Sequence, residues 1–205
     1  MDIAAKLPIS WFDLVFVCLL IAGLFRGRKN GMSGELLPLL QWLTILFVCS
    51  EAYESVGNTL AATAQLSRLF SYVAAYVGLA ILVKAGFSLI KSVFKGKPLS
   101  ADFFGRTEYY FGMLAGMARF GCMIVFVLAL LNARLYTEAE IMRDIQFQRE
   151  TYGAQFFPKL YTVQNHVFVQ STAGAFIRQH LGRFLIKPTP AEKVQFQRQE
   201  WQPPW

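Results

Sequence analysis

The sequence predicts an all-α integral membrane protein, a four-helix bundle followed by an amphipathic helical C-terminal extension. Three observations lead there. Of the 205 residues 55% are hydrophobic and only 16% charged, an imbalance that soluble domains rarely carry. The apolar residues gather into four runs of spanning or near-spanning length. Many of the cations gather in alternating connections between those runs, where they orient a membrane protein. The expected division is a four-helix transmembrane domain over 1–132 and a polar, amphipathic helical tail over 133–205.

The first run, Ile9 to Phe25, contains Asp13 and is near the lower length limit for a spanning helix. A signal peptide wants several cations before the run and a small-residue cleavage site after it. Only Lys6 precedes, and Arg26-Gly27-Arg28-Lys29 follows, so a retained anchor is expected. The stretch Phe25 to Leu37 then reads as a basic loop, with three cations and no anion until Glu35. The second run, Leu36 to Ala52, places Pro38 in its first turn, where a missing N–H costs little. A re-entrant hairpin would bury Arg26, Arg28 and Lys29 at its tip, which is expensive, so full crossing is expected. Tyr53 to Ser67 reads as a polar connection.

The third run, Leu69 to Ile90, has one charge, Lys84, near enough to its end to snorkel toward Lys91, Lys95 and Lys97. The fourth, Tyr109 to Leu131, has Arg119 as its one charge. Thr137-Glu138-Ala139-Glu140 is a capping-box pattern opening a helix toward Tyr152, and Gly153 and Pro158 interrupt. Leu160, Val163, Val167, Gly174, Ile177, Leu181 and Phe184 then recur at helical spacing, with Arg178, Arg183 and Lys187 on other faces. That stripe is expected to pack on the bundle or the membrane surface.

Topology follows from charge. The first connection carries three cations and the third four, so both are expected in the cytoplasm, with the amino and carboxyl termini outside. The net charge of +7 is accounted for by orientation and anionic lipid, and no nucleic-acid partner is expected. Cys18, Cys49 and Cys122 fall inside apolar runs and read as buried thiols of low reactivity. His166 and His180 have no acidic or cysteine partner at ligand spacing, so no metal is expected.

The residues Trp11-Phe12-Asp13, Arg26-Gly27-x-x-x-Gly31-x-x-x-Glu35-Leu36-Leu37, and Leu99-Ser100 followed by Phe111-Gly112-x-x-x-Gly116 resemble the colicin V production (CvpA) membrane proteins. The resemblance covers roughly residues 10 to 132. It departs from the family pattern at Ala115, where an arginine is usual, since here Arg119 follows one turn later. Glu108 also replaces a usual glycine, and Asp102 is out of register. The resemblance implies a small bacterial inner-membrane protein associated with colicin V production and with envelope function. Asp13, Arg26, Gly27, Gly31, Glu35, Gly112 and Gly116 are the residues that carry the family motif.

Gly23, Gly27 and Gly31 recur every fourth residue, as do Gly112 and Gly116, a spacing that lets helix backbones approach within the chain or between copies. Asp13 reads as an interfacial cap or polar anchor, and Glu35 as a stabiliser of the amino end of the second helix through its dipole. Arg119 stands near the middle of its run, where insertion costs roughly 2.5–3.5 kcal/mol. It shares a face with Gly112 and Gly116, and its expected partner is Gln41, backbone carbonyls or water. No catalytic motif is present, so a non-enzymatic role without cofactors is expected. Its partners are the lipid bilayer and either further copies of itself or other membrane proteins. The leading reading is a protein supporting toxin production, export or envelope homeostasis. The alternative is a small transporter or channel subunit using Arg119 and the glycine faces, and a membrane enzyme ranks last.

Overall fold

The computed structural model describes residues 10–93, 107–152 and 159–190. Three long helices, α1 (Trp11–Ala64), α2 (Arg68–Val93) and α3 (Glu108–Asn132), are apolar and long enough to cross a membrane. They are followed by α4 (Glu138–Tyr152), α5 (Leu160–Asn165), a π turn (His166–Gln170), α6 (Thr172–His180) and a 3-10 turn (Gly182–Phe184). Two short strands, β1 (Arg134–Leu135) and β2 (Thr189–Pro190), pair in parallel with Arg134 opposite Thr189.

α1 opens with a capping box, the backbone N–H of Ser10 donating to Asp13 Oδ2 at 3.0 Å. It is two helical arms, 11–30 and 32–64, meeting at Gly31 with φ 68° and ψ 173°. Side-chain-bearing residues avoid that region of backbone space, which is nearly glycine's alone. The arms reverse direction. Gly23 lies against Gly116 and Gly27 against Gly112, so the first arm runs antiparallel to α3. Glu35 meets Arg119 and Trp42 meets Phe126, edge to face at 5.8 Å, so the second arm runs parallel to it. α2 then returns antiparallel to the second arm, with Tyr72 at Gly57 and the Tyr76 carbonyl accepting from Cys49 Sγ at 3.4 Å.

The basic stretch after Phe25 is therefore not a loop but helix on both sides of one residue. Its cations do not force a loop because Arg26, Arg28 and Lys29 are all exposed, while Gly27 and Gly31 turn inward. Because the second arm starts at 32 and not at Leu36, Pro38 lies inside the helix, where it cannot donate to the carbonyl four residues earlier. The expected polar connection from Tyr53 to Ser67 is helical as far as Ala64. Gln65, in left-handed backbone at φ 52°, ends it. The four apolar runs thus lie on three long elements, because α1 contains two of them.

The end of the bundle far from Gly31 is closed by the tail. Tyr53 stacks edge to face on Tyr72 and Tyr76, and Tyr76 lies against Phe126 at 5.3 Å. Above these rings sit Val167, Phe168, Ile177, Leu185 and Ile186, all buried in the same core. Tyr76 Oη donates to the Phe184 carbonyl, and Asn132 Nδ2 donates to that of Ile186 at 2.9 Å. The helix expected from Leu160 to Phe184 is instead broken at Ser171, whose extended backbone caps α6. Val167, Gly174 and Ile177 of the predicted stripe are buried, while Leu160 is exposed. Gly153 and Pro158 lie outside the described residues.

Candidate functional site

Two backbones cross where five glycines meet. A Cβ on Gly112 would stand 2.5 Å from the Gly27 carbonyl oxygen and 2.7 Å from the Gly31 carbonyl carbon. One on Gly116 would stand 2.9 Å from the Gly27 Cα, and one on Gly23 2.8 Å from the Gly116 carbonyl oxygen. No other residue fits such an approach, and the contact is made within one chain. The close approach brings the polar side chains that follow each glycine within reach of one another.

Glu35, one turn beyond Gly31, is fully buried. Its Oε2 accepts from Arg119 Nη1 at 2.8 Å, and its Oε1 accepts from Asn30 Nδ2 at 2.6 Å. Helix geometry explains the match. Gly112 is level with Gly31, so Arg119 lies about 10 Å further along α3 and Glu35 about 6 Å along its arm. A helical side chain leans toward its own N-terminus, which carries the guanidinium back to the carboxylate. The partner of Arg119 is thus Glu35, where Gln41, backbone carbonyls or water were expected, and the charge is drawn toward the Gly31 end. Arg119 Nε is buried without a hydrogen-bond partner. The pair is charge-assisted and mutually neutralising, and neither group alone would be tolerated there.

Asp13 makes a second polar junction at the opposite end of the first arm. Besides the Ser10 amide, its carboxylate accepts from Ser171 Oγ at 2.7 Å, Thr172 Oγ1 at 3.2 Å and the Ala173 amide at 2.9 Å. One carboxylate therefore caps the start of α1 and, from a distance of 160 residues in sequence, the start of α6. The positive ends of two helix dipoles converge on it. Beside it Lys187 Nζ pairs with Glu54 at 2.6 Å and Arg183 pairs with Glu51. The hydrogen bond and charge of Glu54 hold the Lys187 ammonium above the ordinary lysine value.

The motif residues thus fall into separate groups. Gly27, Gly31, Gly112 and Gly116 form the crossing, Glu35 joins Arg119 beside it, Asp13 anchors the tail, and Arg26 is exposed on the first arm. Sequence reasoning missed Asn30, Ser10 and Ser171. Ser10-x-x-Asp13 was readable as a capping box, whereas nothing in the sequence joins Ser171 to Asp13. All three cysteines are free, Cys49 and Cys122 buried and Cys18 exposed. The His180 ring packs on Phe176 at 4.5 Å, and among the described residues no acidic, cysteine or histidine group forms a metal-binding cluster.

A family model described as colicin V production protein matches residues 12–160. No curated protein and no solved structure matches the chain.

Proposed function

The chain belongs to the colicin V production protein family, and on that footing we propose that it is a non-enzymatic, multi-pass protein of the bacterial inner (cytoplasmic) membrane. It supports toxin production or export, or envelope homeostasis, by assembling with other membrane proteins or with copies of itself. The two arms of α1, α2 and α3 each cross the bilayer, and both termini lie outside the cytoplasm. One observation carries the reading. The polar groups and glycine faces that a pathway would need are spent within the chain, Glu35 on Arg119 and Asn30, and Gly23 and Gly27 on Gly112 and Gly116. What remains outward is lipid-facing and partner-facing surface, with Leu14, Phe47, Phe70, Leu82, Leu89 and Leu114 exposed.

The test is colicin V export from cells whose own copy is deleted and replaced by the wild type or by an Arg119→Leu/Glu35→Leu chain. Export that depends on the protein, together with defined partners retained in mild detergent, supports the proposal. A second reading, a transporter subunit, is favoured by the partnerless Nε of Arg119 inside the bundle. Solute or ion flux through the purified protein in vesicles, abolished by Arg119→Lys, would establish that reading and sink the first.

A further inference from the structure

A cleft of about 440 Å³ opens where α3 ends, between β1, α5, the π turn and α6. That volume is in the range of small-ligand sites. Two arginines line it, Arg134 and Arg178, with Tyr136, Tyr161, Thr162 and Asn165 around them. Each guanidinium rests on an aromatic ring, Arg134 on Tyr136 at 4.4 Å and Arg178 on Phe168 at 5.9 Å. Stacking holds the planar group in place; Arg134 also hydrogen-bonds the Tyr136 phenol, so only part of its N–H edge remains to donate. Among the described residues neither arginine is in an ion pair, and Arg134 Nε is buried without a hydrogen-bond partner.

No carboxylate lines the cleft among the described residues. Asp144 and Glu140 of α4 act on the Tyr136 phenol that lines it. Asp144 is paired with Lys159 at 3.0 Å, whereas Glu140 Oε2 is buried and unpartnered. Among the described residues the cleft therefore holds two cations and one unpaired competing anion, Glu140, near it. Its rim carries the exposed apolar side chains of Leu135 and Val169.

We propose that this cleft binds a phosphate group, with Arg134 and Arg178 as its paired donors and Glu140 as an internal competitor. Two guanidiniums on one site suit a tetrahedral anion, which accepts bidentate hydrogen bonds from each. The apolar rim at the end of a membrane-spanning helix suits a phospholipid headgroup, while the same donors would hold free phosphate. The two sources differ in whether the acyl chains contribute.

The full chain in a phosphate-free maltoside detergent is titrated with inorganic phosphate by calorimetry. In parallel, native mass spectrometry of the chain from mixed phosphatidylglycerol and phosphatidylcholine measures which lipid is retained. Binding of phosphate with no lipid preference assigns the free anion, and preferential retention of phosphatidylglycerol assigns the headgroup. In either case Arg178→Gln and Arg134→Gln should each weaken binding about tenfold, and Glu140→Gln should tighten it. Arg178 is exposed, so its substitution leaves the fold intact and is decisive if Arg134→Gln misfolds. Arg183→Gln, outside the cleft lining, should change nothing. The proposal is overturned if neither probe binds, if Arg178→Gln binds like the wild type, or if Arg183→Gln loses as much as Arg178→Gln.

Discussion

Removing Arg119 alone leaves Glu35 fully buried with Asn30 as its one remaining partner. A buried charge that loses its counter-ion costs about 3–5 kcal/mol, whereas replacing both charges with apolar groups of similar size is often neutral or stabilising. Arg119→Leu should therefore lower stability in detergent or bicelles by an amount of that order, and Glu35→Leu/Arg119→Leu should recover most of it. Equal melting of the single and double variants would show that the pair is not coupled. The same logic governs Asp13, which accepts from four residues that belong to two helix starts. Asp13→Ala removes the cap of α1, at about 0.5–2 kcal/mol, and the bonds that tie the start of α6 to it, while Ser171 still accepts from the Gly174 amide. It should release the tail from the bundle before the bundle itself unfolds. Limited proteolysis that cuts the 159–190 region at an unchanged rate would refute this role.

At the scale of elements, Gly31 and the glycine crossing set where the helices go. The φ 68°, ψ 173° backbone at Gly31 costs a side-chain-bearing residue roughly 1–3 kcal/mol. Asn, which tolerates ordinary left-handed turns, gains nothing there, so Gly31→Asn should destabilise as much as Gly31→Ala. A clearly milder Asn variant would mean that the kink relaxes into a common turn. Gly116→Leu forces its side chain into the Gly27 backbone, and thermal unfolding should shift by an overpacking cost of about 1–3 kcal/mol or more. A Gly116→Leu chain that melts like the parent would make the crossing incidental. Much of this was readable in the sequence, since four-residue glycine spacing marks close backbone approach. The exact pairing was not. Gly27 could meet Gly112 in this chain or in a copy, and only the reversal at Gly31 brings them together here. The reversal was expected as a loop over Phe25 to Leu37; that it is made at Gly31 alone was hidden because three cations beside it read as a loop, although a helix exposes them equally well. Arg119 was legible as a buried charge, but its partner Glu35 was not, because a long side chain reaches a full helical turn toward its N-terminus.

For the whole molecule, the two ends of the bundle differ in charge, and this decides which side faces the cytoplasm. Arg26, Arg28 and Lys29 flank the Gly31 reversal and are exposed. α2 runs antiparallel to the second arm, so Lys91 in its last turn arrives at the same end. The chain between α2 and α3 adds Lys95, Lys97 and Arg106 against Asp102. At the opposite end the tail's Arg183 and Lys187 are matched by Glu51 and Glu54 and Asp13 holds α6, while Arg134 and Arg178, without an ion pair among the described residues, are fewer than the cations at the Gly31 end. Unmatched cations close to spanning helices stay in the cytoplasm, so the Gly31 end is predicted inside and the tail outside. A reporter active only in the cytoplasm should work when inserted between Lys97 and Pro98 and fail when fused after Trp205. A reporter active only outside should do the reverse. Cytoplasmic activity at Trp205 with external activity at the insertion would invert the assignment while leaving the fold as it stands. The same side for both would mean that α3 does not cross, since among the described residues it is the one helix of spanning length between the two reporter positions. Replacing Arg26, Arg28 and Lys29 with Gln removes the orienting charge without touching the buried face. That variant should raise the cytoplasmic signal at Trp205, and an unchanged signal would show that the connection between α2 and α3 orients the chain by itself.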